Sequence, residues 1–237
     1  MKKHKQSRGF TLVEMAMVLV IVGLLIGGLV TPLSMQLEQR RVSETQKALD
    51  DAREALIGYA LRYGYLPCPA QSASVGLEDR TGNRCTGEKR AGYLPWATLG
   101  LPKLDAWNHL FRYSVTPAFS DSGPTTHFTL ATPRDITVAT RDMQGGLTPA
   151  TGNADIPAVI ISHGKNGYGA TTDQGTPVAD VGNGNADEKL NASSATSFVT
   201  RLINDNPAQP GGEYDDMVAW LSPNILFNRM VAAQRLP

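Results

Sequence analysis

Residues Phe10 to Val30 form an apolar run of 21 residues, FTLVEMAMVLVIVGLLIGGLV. Sixteen are apolar, three are Gly, and the one charge is Glu14. At 1.5 Å rise per residue this is roughly 30 Å of helix, enough to cross a bilayer. The preceding MKKHKQSRG carries Lys2, Lys3, Lys5 and Arg8 and no acid. A basic flank stays cytoplasmic, so the rest of the chain is expected to be exported. A core helix is rarely this apolar for this long. A cleaved secretory signal has a shorter apolar stretch followed by small residues at its cut site, and no Ala-x-Ala follows here. A plain signal anchor leaves Glu14 unexplained. A carboxylate inside a spanning helix costs about 2.5–3.5 kcal/mol, which marks Glu14 as a functional candidate.

Gly9-Phe10-Thr11-Leu12-Val13-Glu14 resembles the type IV prepilin signature shared by pilins and the pseudopilins of type II secretion. The resemblance implies that a membrane aspartyl peptidase, the prepilin peptidase, cuts between Gly9 and Phe10 and N-methylates Phe10. Glu14 then becomes the fifth residue of the mature chain, where the family keeps its Glu. The implied partners are that peptidase, other pilin or pseudopilin subunits, the inner-membrane assembly platform and membrane lipid. In a lone subunit the Glu14 carboxylate is expected to lack a partner. In the family's filament it meets the N-terminal amine of a neighbouring subunit, and such a pair offsets part of the desolvation either charge would suffer alone. The competing arrangement is a pair within one subunit, between Glu14 and the Phe10 amine about one turn away.

The helix is expected to continue past the bilayer. Val42, Thr45, Leu49, Ala52, Leu56, Tyr59 and Tyr63 recur at steps of three and four and form one amphipathic face. Gly64 is placed as its C-cap. From Phe10 to Tyr63 the helix would be roughly 80 Å long if continuous. Pro32 has no amide hydrogen, so a kink or local melting is expected near Gly27, Gly28 and Pro32.

Composition changes at Gly64. No Asn precedes it and 11 follow; 14 of the 15 Pro and 18 of the 23 Gly lie from there onward. This is turn and strand chemistry. The chain is therefore divided into a leader (1–9), a long helix (10–63, with 10–30 spanning the membrane) and an exported β-rich head (64–237). Cys68 and Cys85 are expected to form a disulfide, which export favours. Asp105, Trp107, Phe111 and Tyr113 match a pseudopilin pattern that opens the sheet, Asp-Pro-Trp-Gly-x-x-aromatic-x-Tyr, while Ala106 and Asn108 depart from its Pro and Gly. Strands are expected at Leu110–Val115, His127–Ala131, Ile136–Thr140, Pro157–Ser162, Phe198–Ile203 and Met217–Leu221. A C-terminal helix follows, with Ser222 capping and Pro223 in the first turn. The expected fold is α+β: a long N-terminal helix packed on an antiparallel sheet, as the resemblance also implies.

The segment Ser162–Asn191 is expected to be a loop. Asp180, Asn183, Asn185, Asp187 and Glu188 offer oxygen ligands at close spacing and suit calcium. The spacing fails the EF-hand rule, and the same residues serve as ordinary turn formers. No other cofactor is expected. Catalysis is not expected either: Ser162 lies in Ile161-Ser162-His163-Gly164 rather than a nucleophile elbow, and no His spacing suits zinc.

Lys plus Arg and Asp plus Glu are both 22, so the precursor is neutral. Loss of residues 1–9 leaves 18 basic residues against 22 acids, which argues against nucleic-acid binding. The function expected is a structural subunit of a type IV pilus or type II secretion pseudopilus. The large head favours a minor subunit, sited in the bacterial inner membrane with the head in the periplasm and then in a filament. The alternative is a membrane-anchored exported hydrolase or ligand-binding domain.

Overall fold

The computed structural model describes residues 10–123, 127–178 and 184–236, with the backbone alone for 25–32. The chain divides into two compact units, one ending at Val42 and the other Ser43–Pro237. Gly9 lies outside the described residues.

Helix α1 is Leu12–Tyr63. Its helical assignment is unbroken at Gly27, Gly28 and Pro32. The local melting expected at Pro32 is therefore not found; a proline removes one amide donor, and the neighbouring turns sustain the ladder. In the first unit the side chains from Phe10 to Leu24 are all exposed. Among the described residues, no helix is long and apolar enough to cross a membrane. The expected span extends into residues 25–30, whose side chains lie outside the description.

In the second unit, the end of α1 is part of the core. Thr45, Leu49, Ala52, Leu56, Ile57 and Ala60 are buried, while Tyr63 is exposed. The compact unit thus begins inside the helix, well before residue 64. The Gly64 N–H donates to Ala60 O at 2.7 Å with φ +84°, a left-handed stop that glycine adopts without strain. Arg235 donates to Leu61 O at 2.8 Å and Arg62 O at 3.1 Å, occupying carbonyls left free at the helix end.

The remaining elements are β1 (Arg80–Thr81), β2 (Arg84–Cys85), β3 (Ala91–Tyr93), α2 (Trp96–Leu99), β4 (Arg112–Val115), α3 (Pro117–Ser120), β5 (Thr137–Arg141), β6 (Leu147–Pro149), β7 (Ala158–Ser162), α4 (Ala186–Ser193), β8 (Ser197–Val199), β9 (Met217–Trp220) and α5 (Pro223–Ala232). The main sheet has the order β3-β4-β7-β9 and is antiparallel throughout. Strand β7 is buried along its whole length, as the continuous apolar run predicts. Val159 and Ile161 on one of its faces pack with Ile136, Val138, Ile156 and Phe198.

Val138 and Phe198 belong to a smaller sheet, β6-β5-β8, and Ile136 and Ile156 form an isolated bridge beside it. Its β5–β8 pair is parallel, so the head is not purely antiparallel. The long excursion between β5 and β8, through β6, β7 and α4, is what permits a parallel return.

Three local expectations are corrected. No strand forms at His127–Ala131; Phe128 is buried and stacked 4.7 Å from Phe119, and a Thr129–Thr132 turn follows. Aromatic anchoring replaces a ladder there. Ser222 holds the N-cap position of α5 with Pro223 next, but its side chain makes no capping bond. The expected loop at Ser162–Asn191 contains the start of helix α4.

Cys68 and Cys85 are disulfide-bonded. Glu78 lies within the loop they close. It accepts from Tyr59 Oη at 2.8 Å, from the Cys68 N–H at 3.0 Å and from Arg80 Nε at 3.0 Å. In the chain-entropy account a loop this short contributes about 3 kcal/mol. The double substitution Cys68→Ala, Cys85→Ala should lower the unfolding free energy from urea titration by that order, and reductant should lower the wild-type midpoint but not the variant's.

Candidate functional site

The amino-terminal motif starts α1. Thr11 stands at the N-cap position, and the Glu14 N–H donates to its Oγ1 at 3.3 Å. In return Glu14 Oε2 accepts from the Thr11 N–H at 2.8 Å and from Thr11 Oγ1 at 2.8 Å. Thr-x-x-Glu is a capping box, in which two otherwise free helix donors are satisfied reciprocally. The expectation that Glu14 is unpartnered in a lone subunit is therefore corrected: its first partner is Thr11, three residues away. Phe10, the residue before the cap, is 83% exposed.

The aromatic motif expected to open the sheet leads instead into its second strand in chain order, β4, and is held by a buried carboxylate. Asp105 Oδ1 accepts from the Trp107 and His109 N–H groups at 2.9 Å each, and its Oδ2 accepts from Ser162 Oγ at 2.6 Å. Asn108 has φ +67°, a conformation that favours Gly and that Asn tolerates better than most residues. The departure from Gly at 108 is thus conservative in backbone terms. Tyr113 is buried, with its hydroxyl donating to Pro67 O at 3.0 Å.

The acids of the oxygen-rich loop go to different places. Asp180 and Asn183 lie outside the described residues. Asp187 is buried and clamped by two guanidiniums, with Arg141 Nη2 at 2.6 Å and Arg201 Nε at 2.9 Å. Those charges compete with any cation for its oxygens. Glu188 faces the other way. It accepts from Asn185 Nδ2 at 2.8 Å, from Asn166 Nδ2 at 2.9 Å and from the Asp215 N–H at 2.8 Å.

Beside it stand Asp215 and Asp216, so three carboxylates converge within 4.8 Å. Asp216 accepts from Asn191 Nδ2 at 2.8 Å and lies 3.3 Å from His163 Nδ1. The loop composition pointed to Glu188, but Asp215 and Asp216 are separated from it in sequence by strand β8. Only the pairing of β9 with β7 and the seating of α4 bring them together. The adjacent acids at 215 and 216, just before an apolar strand, were the one available signal.

Burial, and then the charges of Glu188 and Asp216, push Asp215 up to about 7, against the Asn166 N–H that stabilises its charged form. Glu188 is raised as well, by burial first and by Asp216. His163 and Asn191 are the other groups packed on the cluster.

Ser162 donates its hydroxyl to Asp105 and accepts from the Gly164 N–H at 3.3 Å, so its proton is committed to a carboxylate rather than to a histidine.

Residues 4–30 match the family model of the prokaryotic N-terminal methylation motif. No curated protein and no solved structure matches the chain.

A carboxyl whose folded pKa lies above its unfolded value retains its proton longer when folded. The folded state then loses stability as pH rises between the two values. For Asp215 that window runs from an ordinary value of 3.8 to about 7. The urea midpoint should fall between pH 4 and pH 7, and Asp215→Asn should flatten that slope. A midpoint that rises over this interval by the same amount in both proteins contradicts the assignment.

Proposed function

We propose that the chain is a structural subunit of a type IV pilin-like filament, either a minor pilin or a type II secretion pseudopilin. The observation that carries this reading is the N-terminal methylation motif at residues 4–30. It is supported by the basic leader and the apolar run, and by the exposure of every side chain from Phe10 to Leu24. An isolated soluble domain has no use for such a surface; lipid before assembly and neighbouring subunits after it would cover it.

On this reading the prepilin peptidase cuts between Gly9 and Phe10 and methylates Phe10. Residues 10–30 anchor the subunit in the inner membrane with the head in the periplasm. The Thr11–Glu14 capping box adds a physical detail. In the unassembled subunit the carboxylate is held by its own helix. Transfer to a neighbour's amine exchanges two neutral donors for a cationic one, and the ion pair gains a Coulombic attraction that neutral donors do not supply. Glu14 thereby favours assembly without standing unpaired beforehand. The calcium reading of the head rests, among the described residues, on Asn185 and Glu188.

Mass spectrometry of protein from cells containing the prepilin peptidase tests the processing. The expected mature chain starts at N-methylated Phe10; an intact Met1, or a cut beyond residue 25, sinks the proposal. Glu14→Ala should insert normally and fail to enter filaments. Thr11→Val keeps the carboxylate and should still assemble. Normal incorporation of Glu14→Ala refutes the assembly role given to Glu14.

A further inference from the structure

At the end of the main sheet beside β3 and β4 is an open cavity of about 290 Å³, lined by Lys89, Tyr93, Arg112, His163, Gly169 and Thr171 among others. Its lining brings two cations and no carboxylate. Arg112 sits on β4, in register with Tyr93 on β3 and Ile161 on β7. Its Nη2 donates to Ser194 O at 2.8 Å, and its Nε is buried with no hydrogen-bond acceptor among the described residues. Burial lowers its pKa, which is the sign of a cation without a compensating acid.

The other shielded guanidiniums of the head are treated differently. Arg80 pairs with Glu78, Arg90 with Asp135, and Arg141 and Arg201 with Asp187. Among the described residues, Arg112 has a backbone carbonyl and no carboxylate partner. A cation taken from water without an opposite charge is costly, and proteins normally pair it.

The rest of the wall is also polar. Lys89 Nζ donates to Ala70 O at 2.7 Å, with Asp79 3.7 Å away. The Tyr93 and Thr171 hydroxyls lie 3.4 Å apart. His163 is 1% exposed; its Nδ1 faces Asp216, which orients the ring, and its Nε2 has no partner among the described residues. With the proton at Nδ1, Nε2 accepts a hydrogen bond from a ligand hydroxyl.

We infer that this cavity is a carboxylate-binding site, in which Arg112 supplies the charge, Lys89, Tyr93 and Thr171 supply further donors, and His163 closes the wall. Guanidinium suits carboxylate geometry. The volume is at the small end for ligand sites, which limits the occupant to a carboxylate on a short carbon chain. That group could be a free small acid or the acidic side chain of another polypeptide, a second copy included. The chemistry is the same, and the site stands whether or not the chain enters filaments.

The test uses the full chain in detergent micelles, labelled with nitrogen-15. It is titrated with sodium malonate, with an amidated tri-glutamate peptide, and with sodium chloride at matched ionic strength. A carboxylate should raise the melting temperature by several degrees beyond chloride and shift the Arg112 Nε–H resonance. Arg112→Gln should abolish the rise in melting temperature. Response to malonate identifies a small-acid site; response to the peptide alone identifies a side-chain site. If neither acts beyond chloride, or if the response persists undiminished in Arg112→Gln, the inference is wrong. Should Arg112→Gln fail to fold, Lys89→Met decides: a weaker malonate response supports the site, and an unchanged one overturns it.

Discussion

The Glu78–Arg80 pair is the interaction on which the second unit depends for its order. A long helix ends at Tyr63, and the chain must then turn back, pass through a disulfide and enter a sheet. Glu78 ties Tyr59 of the helix, the backbone at Cys68 and Arg80 to one carboxylate. Arg80 carries the connection on, donating to Ser120 O at 2.8 Å and Leu66 O at 3.3 Å and lying over the Tyr65 ring. Both side chains are largely shielded from water, so neither can lose the other cheaply. The disulfide restricts the unfolded chain, while this pair sets the geometry of the folded one. The two devices act on different sides of the same equilibrium.

What was legible in the sequence follows from where the physics is local. The helical stripe from Thr45 to Leu56 was readable because burial recurs at a fixed period. The PAVIIS strand was readable because a strand buried on both faces has no polar alternation. The stop at Gly64 and the Pro223 start of α5 were readable because backbone conformation there is decided by one residue. The failures were of the opposite kind. His127–Ala131 has strand-like composition, yet Phe128 is spent on a stack with Phe119 that no local pattern encodes. Helix α4 was hidden because its first turn, Ala186-Asp187-Glu188-Lys189, is rich in charge. Its buried acids look like a solvated loop until Arg141, Arg201 and Asn166 are placed against them.

The same lesson applies to the sites. Gly9, Phe10 and Glu14 fall within one six-residue stretch, so the resemblance to the prepilin signature singled them out from sequence. The carboxylate cluster and the Arg112 cavity are assembled from segments that meet only in three dimensions. Neighbouring acids in the chain were also given unlike roles. Asp187 is neutralised by two guanidiniums, whereas Glu188, one residue on, is held by amide groups beside two further acids. Adjacent helix positions point about 100° apart, so a shared composition does not imply a shared site.

Strand β8 is at the edge of the smaller sheet, where free backbone groups would invite a foreign strand. Asn191 meets Val199 there with both ends of its amide: Nδ2 donates to Val199 O at 3.0 Å, and Oδ1 accepts from the Val199 N–H at 2.7 Å. A side-chain amide thus imitates the peptide of a neighbouring strand and fills the docking position. Two copies of the chain that meet at this edge find the pairing at Val199 already taken. Asn191 therefore works as insulation at Val199: the peptide groups that a foreign strand would need there are already satisfied.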